Sequence, residues 1–196
     1  LPGIETHAID ISKWEETKTL IPQIGPFDLL VNNAAVFVGN LFGNIGEEEI
    51  DKLFSVNVKA MINITQEVAK GMIENKKLGC CIVNVSSRAG KIASKGVMVY
   101  GATKAAVDQI TRISALELGE HQIRVNAVNP TAVLETEMGK KAWNEMLKSP
   151  AFIERIPLHR LAQLKDVVNT IVYLLSDKAD MITGACIPID GGHTAC

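Results

Sequence analysis

Four short apolar runs, Phe27–Val31, Cys80–Val85, Ile123–Val128 and Ala185–Ile189, punctuate the chain, and helical patterns fill the intervals between them. Runs of that length lacking strict polar alternation are typical of strands buried on both faces. Strands alternating with helices imply βαβ units, because a parallel strand can be reached only through a long crossover. The expected fold is therefore α/β, a doubly wound, mostly parallel sheet with helices on both faces.

The remaining elements follow the same order. Glu5–Ile9 reads as a further short strand ending at Asp10, and Ser12-Lys13-Trp14-Glu15 as a capping box opening a helix that Gly25-Pro26 ends. Glu47–Lys76 is a long helical pattern, with Ile50, Leu53, Phe54, Val58, Met61, Ile62 and Val68 at helical spacing and Asn57 in the middle. A second helix is expected over Met98–Glu117, with Gly119 as its cap, and a third over Lys165–Ser176. Thr136–Ser149 is polar and reads as a flap. In a doubly wound sheet, ligands collect at the carboxyl ends of the strands, where Asp10, Asn32, Ser87 and Pro130 all fall.

The chemistry concentrates in Ser87–Lys104. Tyr100 and Lys104 stand at i and i+4, one above the other on a helix face, with Ser87 thirteen residues before the tyrosine. An amine cation beside a phenol favours the phenolate, so the Tyr100 pKa is expected to fall. Such a phenol exchanges a proton with a carbonyl or alcohol oxygen that Ser87 can hydrogen-bond.

The 196 residues suit one domain, 1–196, and a net charge of −2 gives no electrostatic case for nucleic acid. No apolar run is long enough to span a membrane, and no basic start with an apolar core marks a signal peptide. Cys80, Cys81, Cys186 and Cys196 have neither metal-site nor disulfide spacing, so no metal is expected and a reducing, cytoplasmic compartment is the simplest inference. Because the chain opens in mid-phrase at Leu1, it is expected to be processed or N-terminally incomplete.

Asp10, Asn32-Asn33-Ala34-Ala35, Asn57, Ser87, Tyr100-x-x-x-Lys104, Asn129-Pro130-Thr131 and Asp190-Gly191-Gly192 come in the order and at the spacings of the short-chain dehydrogenase/reductase family, which the chain resembles from end to end. DLLVNNAAV, ALELGEHQIRVNAVNPT and the ending GG-x-x-AC narrow the resemblance to its sugar and dicarbonyl reductases. The resemblance implies a Rossmann-type fold, NADP as cofactor with NAD not excluded, a ketose or dicarbonyl substrate, and a homotetramer paired through the two central helices. Val107, Ile110 and Leu118 are expected to lie exposed at that pairing, away from Tyr100.

The resemblance also assigns roles. Tyr100 would be the general acid/base, Lys104 would lower its pKa and bond the nicotinamide ribose, and Ser87 would orient the carbonyl. Asn57 would hold the helix backbone open around a proton-relaying water, or is an ordinary buried amide in a kink. Asp10 would bond adenine, Asn32 and Ala34 would admit the adenosine side, and Pro130, Thr131 and Val133 would flank the nicotinamide. On the substrate side stand Trp143, which is equally a lid anchor, and Arg88, which either meets substrate hydroxyls or faces water.

Two departures qualify this. Glu135 occupies the place where the family has a threonine for the carboxamide, so either Thr136 substitutes or the contact is lost. The family's opening strands and T-G-x-x-x-G-x-G turn, roughly fifty residues with their helices, have no counterpart, since Gly39-x-x-x-Gly43-x-x-Gly46 is misspaced and misplaced. Residues 1–196 alone are accordingly expected to bind NAD(P)H poorly. The alternatives are a non-catalytic subunit or binding module of the same family and, more remotely, an isomerase or dehydratase on the same fold.

Overall fold

The computed structural model describes residues 3–142 and 150–195. Its centre is a four-stranded, wholly parallel sheet in the order β1 (Leu29–Asn32), β2 (Cys81–Val85), β3 (Arg124–Pro130), β4 (Cys186–Ile189). Leu30 pairs with Ile82, Ile82 with Val125, and Ala127 with Cys186, so the carboxyl ends form one rim at Asn32, Val85, Pro130 and Ile189.

The crossovers are α1 (Trp14–Ile24) before the sheet, then α2 (Glu47–Phe54) running through a π-helical segment, Ser55–Ala60, into α3 (Met61–Asn75). α4 (Met98–Leu118) leads to β3, and short α5 (Glu137–Ala142) and α6 (Pro150–Glu154) precede α7 (Leu164–Leu175) and β4. Strand residues alternate between two cores, as the period-two geometry of a strand demands. Cys80, Ile82 and Val125 face Val68 and Met72 of α3 and Ala115 of α4. Cys81, Val83 and Val128 face Leu174 of α7. The two adjacent cysteines thus point to opposite faces, as expected, and both are free thiols.

Several local expectations are corrected. Glu5–Ile9 is not a strand: it pairs with none of the described strands, and a strand exists only through its ladder. Ser12 does not cap α1. Its hydroxyl donates to Asp10 Oδ1 at 2.7 Å, and Lys13 becomes the N-cap, making no side-chain cap bond. The 47–76 pattern is interrupted at its centre by the π segment, in which each bond reaches one residue further than in an α-helix. Gly119 is the C-cap of α4, as expected, but it stays right-handed (φ −62°) and begins a short 3₁₀ turn, whose own cap Gln122 takes the left-handed conformation at φ 58°. The apolar surface of α4 also differs from that expected: Val107 is fully buried and Ile110 and Leu118 half-buried, whereas Ile113 and Leu116 are exposed.

Candidate functional site

The first turn of α4 packs against the short 3₁₀ turn Arg88–Gly90 that follows β2. Gly90 allows the approach: a Cβ there would lie 2.7 Å from the Lys104 carbonyl carbon and 2.9 Å from Ala105 N. Ser87 is the N-cap of this turn, its Oγ accepting from Ala89 N at 3.1 Å. Ser86 Oγ donates to Lys104 O at 3.0 Å, fixing the helix against the strand end one residue earlier.

Tyr100 and Lys104 lie on one face of α4, as their spacing requires, and Lys104 Nζ is 5.7 Å from the centroid of the Tyr100 ring. Both side chains are buried. The Lys104 amine donates to Val85 O at 2.8 Å, and burial depresses its pKa to about 8, against the partial support of the Asp108 carboxylate. Burial raises the Tyr100 pKa, and the hydrogen bond with the Ser87 side chain offsets this only in part. The direction is opposite to that expected from the sequence, because desolvation of the phenolate outweighs neighbouring donors and the amine is turned to a main-chain oxygen. Phe37 meets the Tyr100 ring edge-on, with centroids 5.0 Å apart.

Asn57, in the π segment, accepts from Val36 N at 2.8 Å and donates to Val36 O at 3.0 Å and to Thr103 Oγ1 at 3.2 Å. Thr103 Oγ1 donates in turn to Tyr100 O at 2.7 Å. The amide therefore ties the loop after β1 to the tyrosine's own turn. A cleft of about 140 Å³ opens at the same rim, and Asn32, Ala34, Asn57, Val85 and Lys104 are among its lining residues. Asn32 Nδ2 donates to Asn84 Oδ1 at 2.8 Å and to Thr65 Oγ1 at 3.0 Å, which locks that strand end.

The other expected residues are placed as follows. Asp10 is exposed, and its carboxylate accepts from both Ser12 N and Ser12 Oγ, which hold its pKa down. Thr131 is buried and its Oγ1 has no partner, while Pro130 ends β3 beside it. Val133 bridges Ala162, and Thr136 Oγ1 donates to Val133 O and accepts from Gly139 N, capping α5. Glu135 is taken up by Leu164 N. Arg88 does not face water: it is buried against Phe152, with Nη2 donating weakly to Ser94 Oγ at 3.4 Å, and burial lowers its pKa. Trp143 lies outside the described residues. Sequence reasoning did not single out Asp108, whose carboxylate accepts from Asn129 Nδ2 at 2.9 and 3.0 Å. The only signal was a third polar residue at the Tyr100–Lys104 interval.

The observed donor set suits the nicotinamide–ribose half of a dinucleotide. Lys104 bonds one acceptor of the three its ammonium can serve, and the orphaned Thr131 hydroxyl is buried at the same rim.

Comparison with known proteins places the chain among oxidoreductases. The family model described as enoyl-(acyl carrier protein) reductase matches residues 4–194. The chain is 47% identical to L-xylulose reductase of Bos taurus over 99% of its own length and 79% of that protein's. It is 41% identical to carbonyl reductase (NADPH) 2 of Sus scrofa over the same shares, 99% and 79%. Among solved structures, a gluconate 5-dehydrogenase from Burkholderia cenocepacia in complex with NADP and tartrate superposes with a TM-score of 0.87 at 25% identity, covering 96% of this chain and 74% of that one.

Proposed function

The chain belongs to the short-chain dehydrogenase/reductase family, and from that premise we propose that it is an NADPH-dependent carbonyl reductase acting on a ketose or dicarbonyl. The observation that carries the proposal is the buried Tyr100 phenol, beside the Ser87 side chain and with the Lys104 amine over its ring, at the carboxyl rim of the sheet. Relatives named L-xylulose reductase and carbonyl reductase (NADPH) 2 supply the substrate and cofactor class.

The cofactor, when bound, supplies the hydride. Tyr100 acts as general acid: burial keeps its phenol protonated at neutral pH, the form a reduction needs, and the proton passes to the substrate oxygen as negative charge builds there. Ser87 donates a hydrogen bond to the same oxygen. Lys104, still largely an ammonium at pH 7 with a pKa of about 8, steadies the phenolate left behind and would bond the ribose of a bound cofactor. Asn57 holds the rim open beneath the tyrosine's turn. Asn32, Ala34 and Asp10 serve the adenosine side, and Pro130, Thr131, Val133 and Thr136 the nicotinamide side.

Arg88, buried behind Ser87, and Trp143 belong to the substrate side in this reading. Residues 1–196 form a single domain of a cytoplasmic homotetramer. Two buried free cysteines fit a reducing compartment, and no helix among the described residues is long and apolar enough to cross a membrane. The test is the rate of NADPH oxidation by the full-length protein with L-xylulose and with a small dicarbonyl. Saturable turnover is expected, and a purified, folded protein that binds NADPH but turns over neither class would instead be a binding subunit.

A further inference from the structure

Tyr100, Lys104 and Asp108 succeed one another at four-residue intervals on the buried face of α4. The Asp108 side chain is not spent on its own helix. Both its oxygens accept from Asn129 Nδ2, at 2.9 and 3.0 Å, and the same amide donates at 3.1 Å to the main-chain oxygen of Ser87. Asn129 is the penultimate residue of β3 and is completely buried, so its orientation is set by two acceptors that an amide oxygen could not replace. A carboxylate on the catalytic helix is thus joined, through one amide on the neighbouring strand, to the main chain of Ser87, whose side chain acts on the phenol.

We propose that Asp108 is a positioning residue for the Ser87–Tyr100–Lys104 site: through Asn129 it fixes the Ser87 main chain, and its charge, one turn beyond Lys104, keeps that buried amine an ammonium. The inference rests on the proposed reductase reading for its kinetic arm only. On Lys104, burial is the larger influence and Asp108 the opposing one. The charged and titratable groups around the pair are few. Tyr100 lies on the same helix; Lys91, from the loop after β2, brings Nζ to 3.9 Å from Asp108 Oδ2; and Cys186 of β4 has its thiol 3.7 Å from Asp108 O. Arg112 of α4 lies within electrostatic reach of Cys186. Lys91 is partly exposed and its charge is screened by water, whereas Lys104 and Asp108 are both buried on the same side of α4.

The two halves of the proposal separate by mutation. Asp108→Asn removes the charge and retains an acceptor for Asn129; Asn129→Ala cuts the link to Ser87 and leaves the charge. The Lys104 titration is read by NMR of lysine-selectively 13C-labelled full chain, with the resonance assigned from Lys104→Arg, and needs no turnover. Asp108→Asn is expected to lower the Lys104 midpoint by about one pH unit, the usual scale for losing a nearby opposite charge, and to move the alkaline fall of kcat down with it. Asn129→Ala is expected to leave that midpoint in place while lowering kcat about tenfold at every pH, with KM little changed. A Lys104 midpoint unmoved in Asp108→Asn overturns the proposal, as does full kcat in Asn129→Ala. Should Asp108→Asn not fold, Asp108→Ser, uncharged but able to accept, takes its place in the same titration. A wild-type protein without reductase activity would sink the reductase reading yet leave the titration arm standing.

Discussion

The side-chain amide of Asn57 brackets the peptide group of Val36, accepting from its N–H at 2.8 Å and donating to its carbonyl at 3.0 Å. This is a strand-like pairing made by a side chain. It anchors the loop that carries Phe37 onto Tyr100, and a third bond, to Thr103, closes the circuit on α4. Asn57→Leu removes all three bonds and takes from the Val36 peptide group its side-chain partner, while Thr103 keeps its bond to Tyr100 O. The expected cost is about 3 kcal/mol, at about 1 kcal/mol per bond to a neutral group, read as a lower urea midpoint with an unchanged slope. A loss below about 0.5 kcal/mol would be within ordinary surface variation and would refute the bracket as a stabilising device.

Tyr100→Phe keeps the ring and its contact with Phe37 but removes the proton donor. In the full-length protein, turnover is expected to drop at least about a hundredfold, the scale of a lost general acid, while NADPH affinity measured by nucleotide fluorescence barely changes. More than a tenth of wild-type turnover would count against Tyr100 as the acid.

Lys104 is a destabilising residue retained for chemistry. Its folded pKa of about 8 lies below the 10.5 of an exposed lysine, so between those values the unfolded chain binds more protons and stability rises with pH. Below pH 8 the penalty is complete, about 3 kcal/mol from the size of the shift. Lys104→Met should therefore raise stability by about 2 kcal/mol at pH 7, after about 1 kcal/mol is lost with the bond to Val85 O. By pH 10.5 the advantage should have reversed sign. Parallel urea titrations at the two pH values check it; a gain that is the same at both would show that proton binding is not its cause.

What could be read from sequence divides by range. The strands over Cys81–Val85 and Arg124–Pro130 were legible because both their faces are buried and their apolar runs are unbroken. Tyr100 and Lys104 were legible because one helical turn fixes their relation. No period announced the π segment, since its apolar residues keep a nearly helical spacing; only the resemblance, through Asn57, implied an opened helix there, and the Asn57–Val36 bracket joins residues 21 apart. Ser12 was misjudged because its hydroxyl had a competing acceptor two residues back in Asp10. The Asp108–Asn129–Ser87 link joins a helix to two strand ends, and no local period announces it. The Tyr100 pKa went the other way because burial, a property of the whole fold, outweighs a neighbour at i+4.

The apolar surface argues for two different subunit contacts. On α4, Ile113 is 45% and Leu116 82% exposed, with Ile50 and Phe54 of neighbouring α2 also uncovered. On α7, Leu164, Val168 and Val172 stand at i, i+4 and i+8, and all are exposed. A closed dimer uses one self-complementary patch; two separate patches, each pairing with its own copy about a different two-fold axis, generate a tetramer. Leu116→Lys and Val172→Lys should each therefore leave a dimer, built on the patch not altered, and the double variant a monomer. Light scattering on the full-length protein distinguishes these states. A wild-type monomer, or a tetramer that survives both substitutions together, would show that these faces are not the contacts.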